Sequence, residues 1–181
     1  MTKRRKLRQQ WNEDVRKEFL ELAETIVYHP EYAKMRYIEH HSASVFAHSV
    51  NVAYFSYMIA NRLGLDKNST ARGGLLHDFY LYKFERKSTY LMMDVVRHTV
   101  NHPKIALKNA EQHFHLNAKE RNIIKAHMFP VGMPTSPEAL VVSMVDKGLA
   151  MYEYLLNFSQ KREAKYELRF RFPTMEESIS V

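Results

Sequence analysis

The segment Gly73-Gly74-Leu75-Leu76-His77-Asp78 decides our interpretation of the fold. Two adjacent glycines are poor helix formers, so we expect them where another part of the chain packs closely against a helix. The imidazole and the carboxylate that follow are neighbours in sequence, and neighbouring residues do not share one face of a regular helix. A metal ion that binds both side chains is therefore easiest to place at a helix end. The segment predicts a closely packed helix that ends in a polar site.

Apolar residues recur at helical spacing before this segment, in one stripe that ends before Pro30 and another that ends at Gly64. These stripes consist of Trp11, Val15, Phe19, Leu22 and Ile26, and of His48, Val52, Phe55, Ile59 and Leu63. The helix that contains the quoted segment should begin near Asp66 or Asn68.

Three further helices are predicted after the segment. Pro103 suits the first position of a helix over residues 103–114, and Asn117 with Glu120 resembles a capping box. Ser136 should open a long last helix that carries Leu140, Val142, Val145, Asp146 and Leu149. Residues 79–101 show no clean period, and the alternation within residues 161–181 predicts a short strand or an extended arm. We predict one all-α domain over residues 1–181, with a core at about 40–157 and a short basic N-terminal segment.

Composition excludes several classes of protein. Of the 181 residues, 45% are hydrophobic and none is cysteine, which excludes a disordered chain, a disulfide scaffold, an iron–sulfur cluster and a thiol nucleophile. The lack of cysteine fits a reducing, cytoplasmic setting, and no apolar run is long enough to predict a membrane span. The formal charge of +7 could indicate a nucleic-acid partner. Because more than half of that excess can come from residues 3–8 alone, we favour a small phosphorylated or nucleotide substrate.

A set of polar residues falls on, or at the end of, core-facing helix surfaces, where an unpartnered imidazole or carboxylate is costly. The set is His48, His77, Asp78, His102, His127 and Asp146. One buried histidine is more often structural than metal-binding, but an ordered set of this size is not easily a coincidence. Imidazole and carboxylate donors without thiolates favour Zn, Fe or Mn. Six donors are too many for one tetrahedral ion and suit two ions that share a carboxylate.

This ordered set, with its contexts GGLLHD and MVDK, resembles the HD-domain metal-dependent phosphohydrolases over roughly residues 40–150. The two histidines between the HD pair and the final aspartate resemble the two-metal branch, which includes small bacterial dinucleoside-polyphosphate hydrolases. The resemblance implies an HD-domain helical bundle with two divalent ions. It implies one ion held by His48, His77, Asp78 and Asp146, and a second held by Asp78, His102 and His127.

The activity that the resemblance implies is cleavage of a phosphoester or phosphoanhydride bond in a nucleotide-like substrate by metal-activated water. Asp78, His102 and His127 would then be the catalytic residues. Phe79-Tyr80-Leu81 stands where many such enzymes have glycine and lysine, and no Gly-Tyr-Pro triplet occurs. Additional residues that could contact substrate are His41, Lys83, Lys104 and Lys147.

Two other functions stay open from the sequence. The same ligand set is similar to that of di-iron oxygenases of the family, which act on small organic substrates. A non-enzymatic HD module that binds nucleotide or nucleic acid through a basic surface is the third hypothesis. The sequence does not choose the substrate, the metal or the oligomeric state.

Overall fold

The computed structural model describes residues 3–40, 43–82 and 91–158, and its secondary structure is almost entirely helical. The elements in chain order are α1 (Lys3–Val27), α2 (Pro30–Ala33), a 3-10 turn (Lys34–Tyr37), β1 (Glu39–His40), β2 (Ala43–Ser44), α3 (Val45–Leu63), α4 (Lys67–Leu76), α5 (Leu91–His113), α6 (Ala118–Ala126) and α7 (Pro137–Phe158). The two short strands pair antiparallel, with Glu39 opposite Ser44. The predicted all-α class is confirmed. The arm predicted within residues 161–181 lies outside the described residues.

Most helix ends lie where the local sequence predicts them. Gly64 ends α3 with φ of 67°, a left-handed conformation that favours glycine, and the Asp66 side chain accepts the Ser69 N–H at the start of α4. Asn117 and Glu120 form a reciprocal capping box at the start of α6. These ends depend on contacts within three or four residues, which is why the sequence alone predicts them.

The prediction that Pro103 begins a helix is wrong. Pro103 lies inside α5, which begins at Leu91 and continues to His113. Proline removes one intrahelical hydrogen bond, but Pro103, Ala106 and Ala110 are all buried, and this packing offsets the loss. His102 therefore projects from the middle of a helix and not from its first turn.

The paired glycines of α4 lie where two other helices come close. A Cβ on Gly74 would meet the Cα of Ala53 in α3 at 2.9 Å, and a Cβ on Gly73 would meet the Ile123 side chain in α6 at 2.8 Å. The predicted reason for these glycines, close packing, is thus confirmed. The close packing places the end of α4 between α3 and α6, beside α7.

Some apolar residues of α3 and α7 are not covered by the core. In α3 the predicted stripe is exposed at its end, because Ile59 and Leu63 are 39% and 63% exposed. In α7, Leu140, which was predicted only to lie on this helix, is 47% exposed. Periodicity finds an apolar face but not the length over which a partner covers it. No helix in the described ranges is both long and apolar enough to cross a bilayer.

Candidate metal centre

The structure brings all six polar residues of the sequence prediction into one buried cluster. His48 is in the first turn of α3, His102 is in the middle of α5 and Asp146 is in the middle of α7. His77 and Asp78 follow the last turn of α4, and His127 follows the last turn of α6. None of the six is more than 7% exposed. The predicted position of the HD pair at a helix end is therefore confirmed.

The four histidines turn the same ring nitrogen toward the centre of the cluster. In three of them Nδ1 donates to a backbone carbonyl: His77 to Gly74 at 2.7 Å, His102 to His98 at 2.9 Å, and His127 to Ile124 at 2.8 Å. In the fourth, the Nδ1 atom of His48 donates to the Glu153 carboxylate at 3.2 Å. Because carbonyls and carboxylates only accept, each Nδ1 carries a proton, and Nε2 is the nitrogen that faces the cluster. Nε2 of His48 donates to the Asp146 carboxylate at 3.0 Å, so a cation bound there would replace that proton.

One group of donor atoms lies around His48 and the HD pair. Donor atoms of His48, His77 and Asp78 all lie within 4.8 Å of one another. Asp146 lies beside them, with its Oδ1 atom 3.0 Å from Nε2 of His48 and 3.7 Å from Nε2 of His77. This group offers two imidazole nitrogens and two carboxylates.

A second group lies on the other side of Asp78. Donor atoms of Asp78, His102 and His127 also lie within 4.8 Å of one another. The two Nε2 atoms of His102 and His127 are only 2.7 Å apart, and they lie 3.4 Å and 3.5 Å from Oδ1 of Asp78. Asp78 is thus common to both groups.

The cluster strongly favours positive charge. Burial disfavours an imidazolium, yet the carboxylates of Asp146 and Glu153 raise the pKa of His48 to about 10. Burial would raise the pKa of Asp78, but the imidazoles of His77, His102 and His127 lower it below its usual value. By contrast, burial and the nearby His77 lower the pKa of His127 to about 4, so this ring is neutral at pH 7.

Two donor atoms of the six predicted residues lack hydrogen-bond partners among the described residues. Nε2 of His77 and Oδ1 of Asp78 are both buried without such a partner. An unpartnered buried polar atom costs about 1–3 kcal/mol, so two of them side by side require an explanation. An imidazole nitrogen and a carboxylate oxygen, both buried in one cluster, fit the donor requirements of a divalent cation.

Glu153 is the residue of this cluster that the sequence interpretation missed. It is fully buried on α7, seven residues after Asp146, and it contacts the outer nitrogen of His48. Seven residues correspond to two helical turns, so its position on the inward face of α7 could have been read from the sequence.

Aromatic side chains also lie next to His102. The His98 ring stacks on the His102 ring with centroids 4.7 Å apart, and the Tyr80 ring lies 6.0 Å from His102. The hydroxyl of Tyr82 lies 3.2 Å from Nδ1 of His98. These side chains form a wall on one side of the second donor group.

The lysines predicted as candidate substrate contacts differ in position. Lys147 turns its ammonium away from solvent and donates to the backbone oxygen of His127 at 2.8 Å and to the Ser143 hydroxyl at 2.8 Å. Burial lowers the pKa of Lys147 from its usual value. Lys104 is exposed on α5. His41 and Lys83 lie outside the described residues.

Comparison with known proteins identifies a family and several relatives. The family model of the HD domain matches residues 45–151, more than half of the chain. Ribonuclease Y of Finegoldia magna is 27% identical over 163 residues, which cover 84% of this chain and 29% of the relative. Ribonuclease Y of Mycoplasma capricolum is 32% identical over 92 residues, which cover 50% of this chain and 18% of the relative. The chain spans less than a third of the length of these relatives, and no solved structure matches it.

Proposed function

This chain belongs to the HD domain family, and on that premise we propose that it is a metal-dependent phosphohydrolase. Its reaction is hydrolysis of a phosphoester or phosphoanhydride bond in a nucleotide-like substrate. The observation that carries the proposal is the common orientation of the four histidines, whose Nε2 atoms converge on two carboxylates while every Nδ1 atom is bonded to an acceptor. We retain the interpretation of residues 1–181 as one domain.

The donor set suits two divalent ions. His48, His77, Asp78 and Asp146 would hold one ion, and Asp78, His102 and His127 would hold the other. Nitrogen and oxygen donors without thiolates favour Fe, Mn or Zn. The unpartnered atoms of His77 and Asp78 support this assignment, since cations would satisfy both of them.

When bound, such ions lower the pKa of water toward neutrality and stabilise the charge that develops on a phosphoryl oxygen. The chain's own residues orient and insulate the site. Asp78 spans both donor groups, and His102 and His127 keep their Nε2 atoms directed inward because their Nδ1 protons are bonded to backbone carbonyls. The buried surroundings exclude bulk water and strengthen every electrostatic contact in the site.

Glu153 acts as a positioning residue in this proposal. Its carboxylate accepts the Nδ1 proton of His48, which fixes the ring orientation and makes Nε2 a better donor. Carboxylate–histidine pairs of this kind commonly orient metal-binding imidazoles.

The relatives favour one form of the substrate. Because the proteins similar to this chain are named ribonucleases, we propose the phosphodiester bond of a ribonucleotide chain as the first substrate to test. The formal charge of +7 fits an anionic substrate.

The test is metal analysis together with hydrolysis. Protein purified without chelator should contain up to two Fe, Mn or Zn ions per chain by elemental mass spectrometry, and it should hydrolyse a short RNA or a nucleotide ester. Asp78→Asn should lose both ions and the activity. The matched control is Asp66→Asn. Asp66 caps the start of α4, at the opposite end of that helix from Asp78, and asparagine can serve as the cap in its place.

Two results would overturn the proposal. One is wild-type protein that takes up no metal after incubation with Mn²⁺, Fe²⁺ or Zn²⁺. The other is hydrolysis that continues unchanged in Asp78→Asn. Equal turnover with and without dioxygen would in addition exclude the oxygenase alternative.

A further inference from the structure

Helix α7 directs its charged groups toward the inside of the protein. Asp146 and Glu153 lie in the buried cluster, and Glu138 is buried where it accepts from Lys119 at 2.9 Å. The ammonium of Lys147 is bonded to the His127 carbonyl at 2.8 Å. All four charged side chains within residues 137–155 therefore find partners in this chain.

The opposite face of α7 is apolar and open. Four of its aliphatic side chains are each about half exposed: Leu140 47%, Met144 59%, Met151 59% and Leu155 56%. Gly148 lies between them, and a Cβ built on it would meet nothing within 4 Å. We call this set the α7 outer face. A contiguous apolar helix face that the rest of the chain leaves exposed indicates a binding surface.

The α7 outer face is symmetric about its own midpoint. Leu140 and Leu155 lie equally far from the midpoint between residues 147 and 148, and so do Met144 and Met151. The pattern spans about 22 Å of helix at 1.5 Å per residue. Rotation by 180° about an axis through this midpoint, perpendicular to the helix, places leucine opposite leucine and methionine opposite methionine. A self-complementary patch of this kind is what a two-fold interface requires.

We propose that two copies of this chain associate through the α7 outer face, with their α7 helices antiparallel and crossing near Gly148. The missing side chain of Gly148 lets the second helix approach closely at the crossing. The interface would bury no unpaired charge, because Lys147 directs its ammonium inward and leaves only its carbon stem at the crossing.

The available area supports an interface of modest strength. Each of the four large side chains offers roughly 100 Å², so a pair of copies would bury on the order of 1,000 Å² with flanking residues, near the lower limit for a specific interface. We therefore expect a dissociation constant in the micromolar range. This association is independent of the proposed activity, since it uses the side of α7 opposite Asp146 and Glu153.

The experiment is sedimentation velocity of the full chain with charge variants. Wild-type protein at about 100 µM, above a micromolar dissociation constant, should sediment with twice the 21.5 kDa mass of one chain. Met144→Lys with Met151→Lys should dissociate the dimer and raise the dissociation constant at least about tenfold, because each methionine position faces the other across the two-fold axis.

A second variant tests the antiparallel direction. Met144→Lys with Met151→Glu places an ammonium opposite a carboxylate in the antiparallel pair, so this variant should dimerise within about threefold of wild type. In a parallel pair the same variant would place like charges opposite each other and dissociate. The control, Met92→Lys with Met93→Lys, changes two exposed methionines of α5 and should leave the dimer intact.

Three outcomes would overturn the inference. Wild-type protein that is monomeric at about 100 µM would show that another occupant, such as a different protein or another segment of this chain, covers the face. A dimer that survives the two lysine substitutions would place the interface elsewhere. Dissociation by the lysine–glutamate variant, with circular dichroism like that of wild type, would exclude the antiparallel arrangement.

Discussion

Removal of the Glu153 carboxylate should weaken metal binding at the donor group that includes His48. The carboxylate is fully buried and lies 3.2 Å from Nδ1 of His48. A hydrogen bond to a charged group contributes about 1.5–3 kcal/mol, which corresponds to about a tenfold to hundredfold change in affinity. That range agrees with the effect of removing partners of metal-binding histidines in other proteins. Glu153→Gln keeps a carbonyl acceptor, so its loss of metal affinity should be near the lower end of this range. Glu153→Ala removes the acceptor, so its loss should be near the upper end.

The assay is competition for Mn²⁺ or Zn²⁺ with a fluorescent chelator, fitted for two sites. We expect the affinity of the donor group that includes His48 to fall and the affinity of the other group to stay unchanged. His102 and His127, which belong to the other group, do not contact Glu153 through any hydrogen bond of the described residues. The matched control is Glu138→Gln, which changes another buried acidic residue of α7 outside the cluster and should alter stability alone.

The reasoning is refuted if folded Glu153→Ala binds both ions with wild-type affinity. An equal loss at both sites, shared by Glu138→Gln, would also refute it, since it would show only a general loss of structure. Absence of metal from the wild-type protein is a different result, which would reject the metal centre itself.

Other predictions concern stability, and each is measured by thermal or urea unfolding. Gly74→Ala should lower the free energy of unfolding by about 1–3 kcal/mol, because its new Cβ would lie 2.9 Å from the Cα of Ala53. A Cβ on Gly148 would meet open space, so Gly148→Ala should leave the stability unchanged or raise it slightly at low micromolar protein concentration. Asp66→Ala should cost about 1 kcal/mol at neutral pH through loss of the cap. The backbone N–H of Ser69 lowers the pKa of Asp66, so the cap contributes fully above the ordinary value of 3.8, and the difference between variant and wild type should shrink as the pH falls through the lowered pKa. Chelation should lower the unfolding temperature, and a divalent ion restored at about a hundred times its dissociation constant should return about 2.7 kcal/mol per site. A Gly74→Ala variant as stable as wild type, a pH-independent Asp66→Ala difference or an unfolding temperature that ignores chelation would contradict the respective prediction.

Local sequence signals predicted most helix boundaries correctly and the start of α5 wrongly. Gly64, Asp66 and Asn117 act through conformational preference or contacts within a few residues, so their roles were visible in the sequence. Pro103 gave the wrong start for α5 because the same residue suits a first helical turn and, when buried, also tolerates the interior of a helix. The outcome depended on distant packing, which no local preference contains.

For the candidate site, too, some features followed from the sequence and others depended on distant packing. The order of six imidazole and carboxylate residues was enough to predict which side chains would meet, because unpartnered polar groups on core-facing surfaces need common partners. The interpretation missed Glu153, although its spacing from Asp146 matches two helical turns. Which His48 nitrogen it would contact was not visible in the sequence, because that depends on how α3 packs against α7.

Residue type and spacing were thus sufficient for the helical class, most helix ends and six of the clustered side chains, since these follow from backbone preference and from the cost of burying unpaired polar groups. Three-dimensional packing alone decided which ring nitrogen each histidine turns inward and that Glu153 joins the cluster behind His48. It also decided that α7 leaves an apolar face uncovered. Those features depend on distances between helices that are far apart in the chain, and a hydrophobic period contains no information about such distances.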